Sequence, residues 1–187
     1  MKILAISDRP PREKIEAILA KSPVDLICTL GDLQQSELYG LENITYIPKL
    51  GVYGNHDLGM YFEPLGIMNI HLKTFELDGI SFGGFEGCVR YKNDPYAKMY
   101  TQEEATELLQ DFPYVDVMLV HCPPYGINDE PDEVAHQGYK ALRAYVEAKK
   151  PKYLLHGHTY PTEKTMITRS GDTEIIYVYQ DKLIELP

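Results

Sequence analysis

Five short apolar runs in this 187-residue chain each stop at a residue that can bind a metal or move a proton. Lys2–Ser7 ends in Asp8, Leu26–Leu30 in Gly31-Asp32, and Leu50–Tyr53 in Gly54-Asn55-His56-Asp57. Val115–Val120 ends in His121-Cys122-Pro123-Pro124, and Tyr153–Leu155 in His156-Gly157-His158-Thr159-Tyr160. Short runs of this kind read as strands buried on both faces. Ligands of open α/β sheets bind at the carboxyl edge of the strands, so the five ends can converge on one crevice.

The segments between these runs supply the rest of an architecture. Pro10-Pro11 opens a helix over about Arg12–Ala20, where proline is tolerated. Thr101-Gln102-Glu103-Glu104 resembles a capping box ahead of a helix over Ala105–Leu109. Gln137–Lys150 carries Tyr139, Leu142, Tyr145 and Val146 at helical spacing and ends before Pro151. Strands at Lys73–Leu77 and Ile80–Phe85 flank Asp78-Gly79, a two-residue hairpin signal. A second hairpin is expected at Ser170-Gly171-Asp172, joining Lys164–Thr168 to Glu174–Tyr179. Strands alternating with helices and interrupted by hairpins predict an α/β chain with two mixed sheets face to face and helices outside. No repeat, linker or low-complexity tract divides it, so residues 1–187 are expected to form a single domain.

The charge balance narrows the partners. Eighteen Lys and Arg stand against 28 Asp and Glu, a net charge of −10 that disfavours nucleic acid over most of the surface. The densest basic cluster, Lys149, Lys150 and Lys152, reads as a helix C-terminus, where lysines complement the dipole. No stretch approaches the ~18 apolar residues of a membrane span, and Met1-Lys2 runs straight into a first strand at Ile3. Cys28, Cys88 and Cys122 are odd in number and lack a Cys-x-x-Cys pair, which fits a reducing cytoplasm. Cys122 adjoins His121 but alternates away from it, so a buried structural thiol is expected.

Within Gly54-Asn55-His56-Asp57, the amide oxygen can ligate a cation, the imidazole can donate to a bound phosphate, and the aspartate can orient the imidazole. Taken in order, the five strand ends resemble the motifs of the calcineurin-like metallophosphoesterases: Asp-x-His, Gly-Asp, Gly-Asn-His-Asp/Glu, a lone His, and Gly-His-x-His. They stand here as Asp8-Arg9-Pro10, Gly31-Asp32, Gly54-Asn55-His56-Asp57, His121 and Gly157-His158-Thr159-Tyr160. The resemblance implies a four-layer αββα sandwich and a site for two divalent metals. Two positions depart from it, since Pro10 and Tyr160 replace histidines that serve the family's first metal. Carried over position by position, the second metal keeps Asp32, Asn55, His121 and His158, whereas the first keeps Asp8 and a share of Asp32. The fuller set suits Mn, with Fe, Zn or Ni as alternatives, and the depleted pair suits weak Mg or Mn. One firm metal and one conditional metal are therefore expected.

The resemblance implies a metal-dependent phosphoesterase acting on a small phosphorylated substrate, a nucleotide among the candidates, with His56 as acid or donor and Asp57 behind it. The contrasting expectation is a binding or regulatory protein that keeps the fold and one metal but turns over little. Candidate substrate contacts are Arg90, with Tyr91 and Tyr96 in the loop Gly87–Tyr100, together with Tyr160 and Arg9. Strand alternation sends Arg9 outward, while the alternative pairs its guanidinium with Asp8 or a phosphate. His136 with Gly138 resembles a segment that borders the site in many family members, although a histidine at a helix start needs no such role, and His156 is expected to lie in a supporting shell or in the core.

Overall fold

Residues 1–57 and 60–187 are described by a computed structural model. The chain runs β1 (Lys2–Ser7), α1 (Ile15–Lys21), β2 (Leu26–Thr29), β3 (Lys49–Gly51), α2 (Phe62–Leu65), β4 (Met68–Asn69), β5 (Thr74–Leu77) and β6 (Ile80–Phe85). It continues through β7 (Cys88–Val89), β8 (Met99–Tyr100), α3 (Gln102–Leu109), β9 (Val117–Val120), α4 (Lys140–Lys149) and β10 (Tyr153–His156). It closes with β11 (Arg169–Ser170), β12 (Thr173–Tyr177) and β13 (Gln180–Glu185).

Two main sheets result, ordered β13-β1-β2-β3-β4 and β11-β12-β10-β9-β6-β5, with β7 and β8 paired as a separate two-stranded ribbon. The strands that end in polar residues are parallel to their neighbours, and the antiparallel partners β13, β5 and β11 sit at sheet margins. Side-chain alternation builds the layers. Ile3, Ala5, Leu26 and Cys28 face inward to meet Phe82, Val117, Leu119 and Leu155 of the other sheet. Leu4, Ile6 and Ile27 face outward beneath Ile15, Ile18 and Leu19 of α1. On the far side, Met118, Val120 and Leu154 pack under Ala105 and Leu109 of α3 and Leu142, Tyr145 and Val146 of α4. This is the expected αββα sandwich, with apolar alternation assigning each strand residue to one of three cores.

Several local expectations hold in detail. Thr101 Oγ1 accepts from Glu104 N–H at 3.1 Å and Glu104 Oε2 from Thr101 N–H at 2.8 Å, a reciprocal cap for α3. Asp78 and Gly79 take φ of 51° and 76° between the paired Leu77 and Ile80, as a two-residue hairpin requires.

Other expectations need correction. Helix α1 starts at Ile15 instead of Arg12, because Arg12 N–H is held by Asp181 Oδ1 at 2.7 Å and the chain reaches β13 before it coils. Helix α4 starts at Lys140, since Tyr139 is used in a bridge with Pro124. Lys164–Thr168 forms no strand. Thr162 and Thr165 close a turn through Thr162 N–H to Thr165 Oγ1, 2.9 Å, and only Arg169–Ser170 pairs with β12 on that side.

Candidate metal centre

Sheet order brings the polar strand ends to one edge. Asp8, Asp32 and Asn55 follow the neighbouring strands β1, β2 and β3, while His121 and His158 follow the neighbouring strands β9 and β10. Three of these residues are held in left-handed backbone conformations, with φ of 63° at Asp8, 54° at Asp32 and 69° at His158. Such conformations cost free energy and persist where surrounding structure enforces them, typically at functional sites. Two glycines let the pieces approach. A Cβ on Gly54 would collide with Asp32 Oδ1 and the His121 ring, and one on Gly157 with Ser7 and Asp8 Oδ2.

The centre of the cluster is His121, wholly buried. Its Nε2 lies 3.1 Å from Asn55 Oδ1, 3.1 Å from His158 Nδ1 and 3.5 Å from Asp32 Oδ2. Ligand atoms of Asp32, His121 and His158 all fall within 4.8 Å of one another. The outer ring nitrogens explain the orientation. His121 Nδ1 faces the Leu30 carbonyl at 2.7 Å, and His158 Nε2 faces the Ala135 carbonyl at 2.8 Å. A carbonyl oxygen only accepts, so both outer nitrogens carry a proton, and in the neutral rings both inner nitrogens present lone pairs.

With both rings neutral, two lone pairs 3.1 Å apart beside an amide oxygen and a carboxylate form a pocket that favours positive charge, either a proton shared with Asp32 or a metal ion. Burial disfavours charge at His121, yet the Asp32 carboxylate raises its pKa; burial and the His121 ring lower that of His158. At Asp32, too, burial is outweighed, and His121 holds its carboxyl below the usual range. Two neutral imidazoles, one carboxylate and one amide oxygen fit a borderline divalent ion, and imidazoles donating their far N–H to backbone are the usual supporting shell of such a centre.

Asp8 stands outside that three-residue cluster. Its two carboxylate oxygens accept the His158 N–H at 3.0 and 3.1 Å, which joins the ends of β1 and β10. The residue at the family's missing histidine, Tyr160, is 54% exposed and packs edge-on between His136 and Tyr179. The His136 ring lies 5.7 Å from that of His158.

Asp57 is not placed to orient His56. Its carboxylate accepts the amides of Leu33 at 2.8 Å, Asp32 at 3.0 Å and Gly54 at 2.5 Å, and the Tyr61 hydroxyl at 3.1 Å. It therefore staples the Asp32 turn to the Asn55 turn. His56 is exposed, and its backbone N–H donates to Asp32 Oδ1 at 2.7 Å, which ties the residue's backbone to the cluster.

Arg90 is engaged elsewhere, with Glu104 Oε2 and the Met99 carbonyl at 2.8 and 3.1 Å. The loop that carries it is pinned by the β7–β8 pair, which the sequence did not signal. Tyr96 is 80% exposed on that loop and Tyr91 packs partly against the core. Arg9 is exposed, near Tyr179. Cys122 and His156 are fully buried, the former behind His121 and the latter bonded through Nε2 to Asn128 at 2.9 Å.

Comparisons with known proteins agree with this geometry. The sequence profile of the calcineurin-like phosphoesterase superfamily domain matches residues 1–178. No curated protein matches the sequence. One solved structure, 15% identical, superposes with a TM-score of 0.65 over 94% of this chain and 89% of its own. A second, TT1561 of Thermus thermophilus, is 18% identical with a TM-score of 0.63 over 94% of this chain and 88% of its own. Identities this low establish a shared fold. Among the described residues, no helix is long and apolar enough to cross a membrane.

Proposed function

From the premise that this chain belongs to the calcineurin-like phosphoesterase superfamily, whose members typically hydrolyse phosphoesters with divalent metals, we propose that it is a metal-dependent hydrolase of small phosphorylated substrates. The observation that supports this reading most directly is the pair of inward lone pairs of His121 and His158, grouped with Asp32 and Asn55. Those four residues would hold the ion, Mn being the first candidate, and Asp8 would take part in a weaker second site. A bound divalent ion supplies Lewis acidity toward water and neutralises charge on phosphoryl oxygens.

The remaining chemistry falls to the chain itself. His56 reaches the crevice on a turn whose backbone is tied to Asp32, so its exposed imidazole can meet substrate without leaving the cluster. There it donates a proton to the leaving oxygen or a hydrogen bond to a phosphoryl oxygen. Asp57 acts by positioning, because its carboxylate fixes the amides on both turns. Asp32 contributes negative charge and Asn55 a neutral oxygen, a set that leaves room for an anionic phosphate.

Pro10 and Tyr160 favour a second reading, in which a protein with an incomplete first metal site binds a phosphorylated ligand and turns it over slowly. Elemental analysis of the purified protein, run beside phosphomonoesterase and phosphodiesterase assays with added Mn, separates the two. Metal-dependent turnover supports the enzyme. Bound metal with no turnover of any ester supports the binding protein, and no metal at any concentration overturns both.

A further inference from the structure

Two residues beyond Asp32, Gln34 begins the wall of an open surface cavity of about 680 Å³, a size that accommodates a small organic ligand. Gln34, Gln35, Ser36 and Tyr39 form one side and Met60 and Tyr61 the other. The cavity is coupled to the metal centre by a shared fastening. Tyr61 donates its hydroxyl to Asp57 Oδ1, and the same carboxylate holds the amides of Asp32, Leu33 and Gly54.

The chemistry of the lining is distinctive. Among the described residues no lysine or arginine lines the cavity, and its charged member, Glu42, is acidic. Lys49, near Glu42, is buried and commits its ammonium protons to the Leu41 and Ile44 carbonyls, both at 2.8 Å. Tyr39 and Met60 are 73% and 82% exposed, so an aromatic face and a thioether stand unpacked at the opening. Side-chain amides and a hydroxyl from Gln34, Gln35 and Ser36 add neutral donors and acceptors. Cations sit instead on the β13–β1 side of the sheet, where Arg12 and Lys182 line a different cavity with Tyr177 and Tyr179.

We propose that the 680 Å³ cavity receives the ester group of the substrate and selects an uncharged aromatic group with hydrogen-bonding edges, such as a nucleobase, over a group bearing further phosphates. The proposal rests on the phosphoesterase reading above. A planar ring can stack on Tyr39 while its edges meet the glutamine amides, whereas a second phosphate there would face Glu42 with no counter-charge.

The test uses AMP and glycerol 1-phosphate, each as the monoester and as its methyl diester, because both present a primary alkyl ester to the reacting centre. The nucleoside compounds should be preferred by ~10-fold or more in kcat/KM, carried mainly by KM, as one stacked base warrants. Tyr39→Ala and Gln35→Ala should each shrink that ratio, and adenosine 3′,5′-bisphosphate, which adds a phosphate to the same ester group, should be a poorer 5′-ester substrate than AMP. Equal kcat/KM for the two alcohols, or a preference for the 3′,5′-bisphosphate, overturns the assignment. If no ester is hydrolysed, the phosphoesterase reading fails separately, and equilibrium dialysis with labelled adenosine decides the cavity. Adenosine binding weakened by ~10-fold in Tyr39→Ala, the loss expected for one stacked base, sustains it. Binding that is absent or indifferent to the substitution overturns it.

Discussion

Each imidazole of the metal centre is aimed by a backbone carbonyl, and that division of labour separates the residues by what their loss should do. His121 and His158 donate outward to Leu30 and Ala135, so their inner nitrogens are turned toward the site of the proposed ion. Among the described residues His56 has no such anchor for its ring; it lies exposed, tied to the cluster through its backbone N–H. His56→Ala should therefore leave metal content unchanged and lower turnover by roughly 10²-fold, the scale for losing a general acid. Hydrolysis of every tested phosphoester at the parental rate would remove His56 from the mechanism. Asn55→Ala and His158→Ala should instead lose metal and activity together, read by elemental analysis and assay on the same preparations. Asp57→Ala should resemble them in activity but for another reason. It frees three amides on two turns, and loss of a buried hydrogen-bonded carboxylate also lowers the melting temperature.

At the scale of elements, Asp116 offers a stability test away from the metal. It opens β9 and accepts from Ser81 N–H and Oγ at 2.9 and 2.7 Å, from Tyr114 at 3.1 Å and from Lys152 at 3.0 Å, which aligns β6 and β10 on either side. Burial opposes its ionisation, but these donors prevail and hold its carboxyl well below the usual range. A depressed folded-state pKa contributes stability that is present above the unfolded value, about 4, and lost as pH falls toward the folded one. Asp116→Asn should thus cost about 1 kcal/mol at pH 7, little of it from the exposed lysine. Denaturant melts at neutral pH and at about pH 2.5, below the unfolded carboxylate value, should show the gap narrowing in acid, and a gap that widens would contradict the linkage. The same elements show what a sequence discloses. The strand ends were legible because apolar runs and ligand types recur in order, and the Thr101 cap and Asp78-Gly79 turn were legible because their signals are local. The left-handed φ of Asp8, Asp32 and His158 was not legible, since nothing in those residue types demands it. Nor was the work of Asp57, whose partners Asp32 and Leu33 lie on another turn. Strand β13 escaped notice because Gln180–Glu185 is largely polar, and it is recognisable only by its pairing with β1.

Considered as a whole, the molecule keeps the sandwich of its superfamily and one well-formed cluster, while Pro10 and Tyr160 occupy the two places from which imidazoles are missing. Purified without excess metal, it should hold about one transition-metal ion per chain or less, because Asp8 lies outside the cluster that Asp32, His121 and His158 form. Two tightly held ions would mean that Tyr160 or another residue completes a second site. Pro10→His with Tyr160→His should convert the conditional site into a firm one. The exposure of Tyr160, wedged only edge-on against His136 and Tyr179, means that its replacement should disturb little packing. Position 10 is more delicate, since proline shapes the approach to Arg12 and α1, so thermal melts must accompany the assay. Ligands of one metal act as a unit, and each single replacement should therefore do less than half of what the pair does. A folded double variant that binds a second Mn and hydrolyses a model phosphodiester faster would show that the two departures limit catalysis, because two ions can clamp attacking and leaving oxygens at once. The same variant with a second ion and no gain on any phosphoester would place the active chemistry on one metal and His56, and the two-metal mechanism would not apply to this chain.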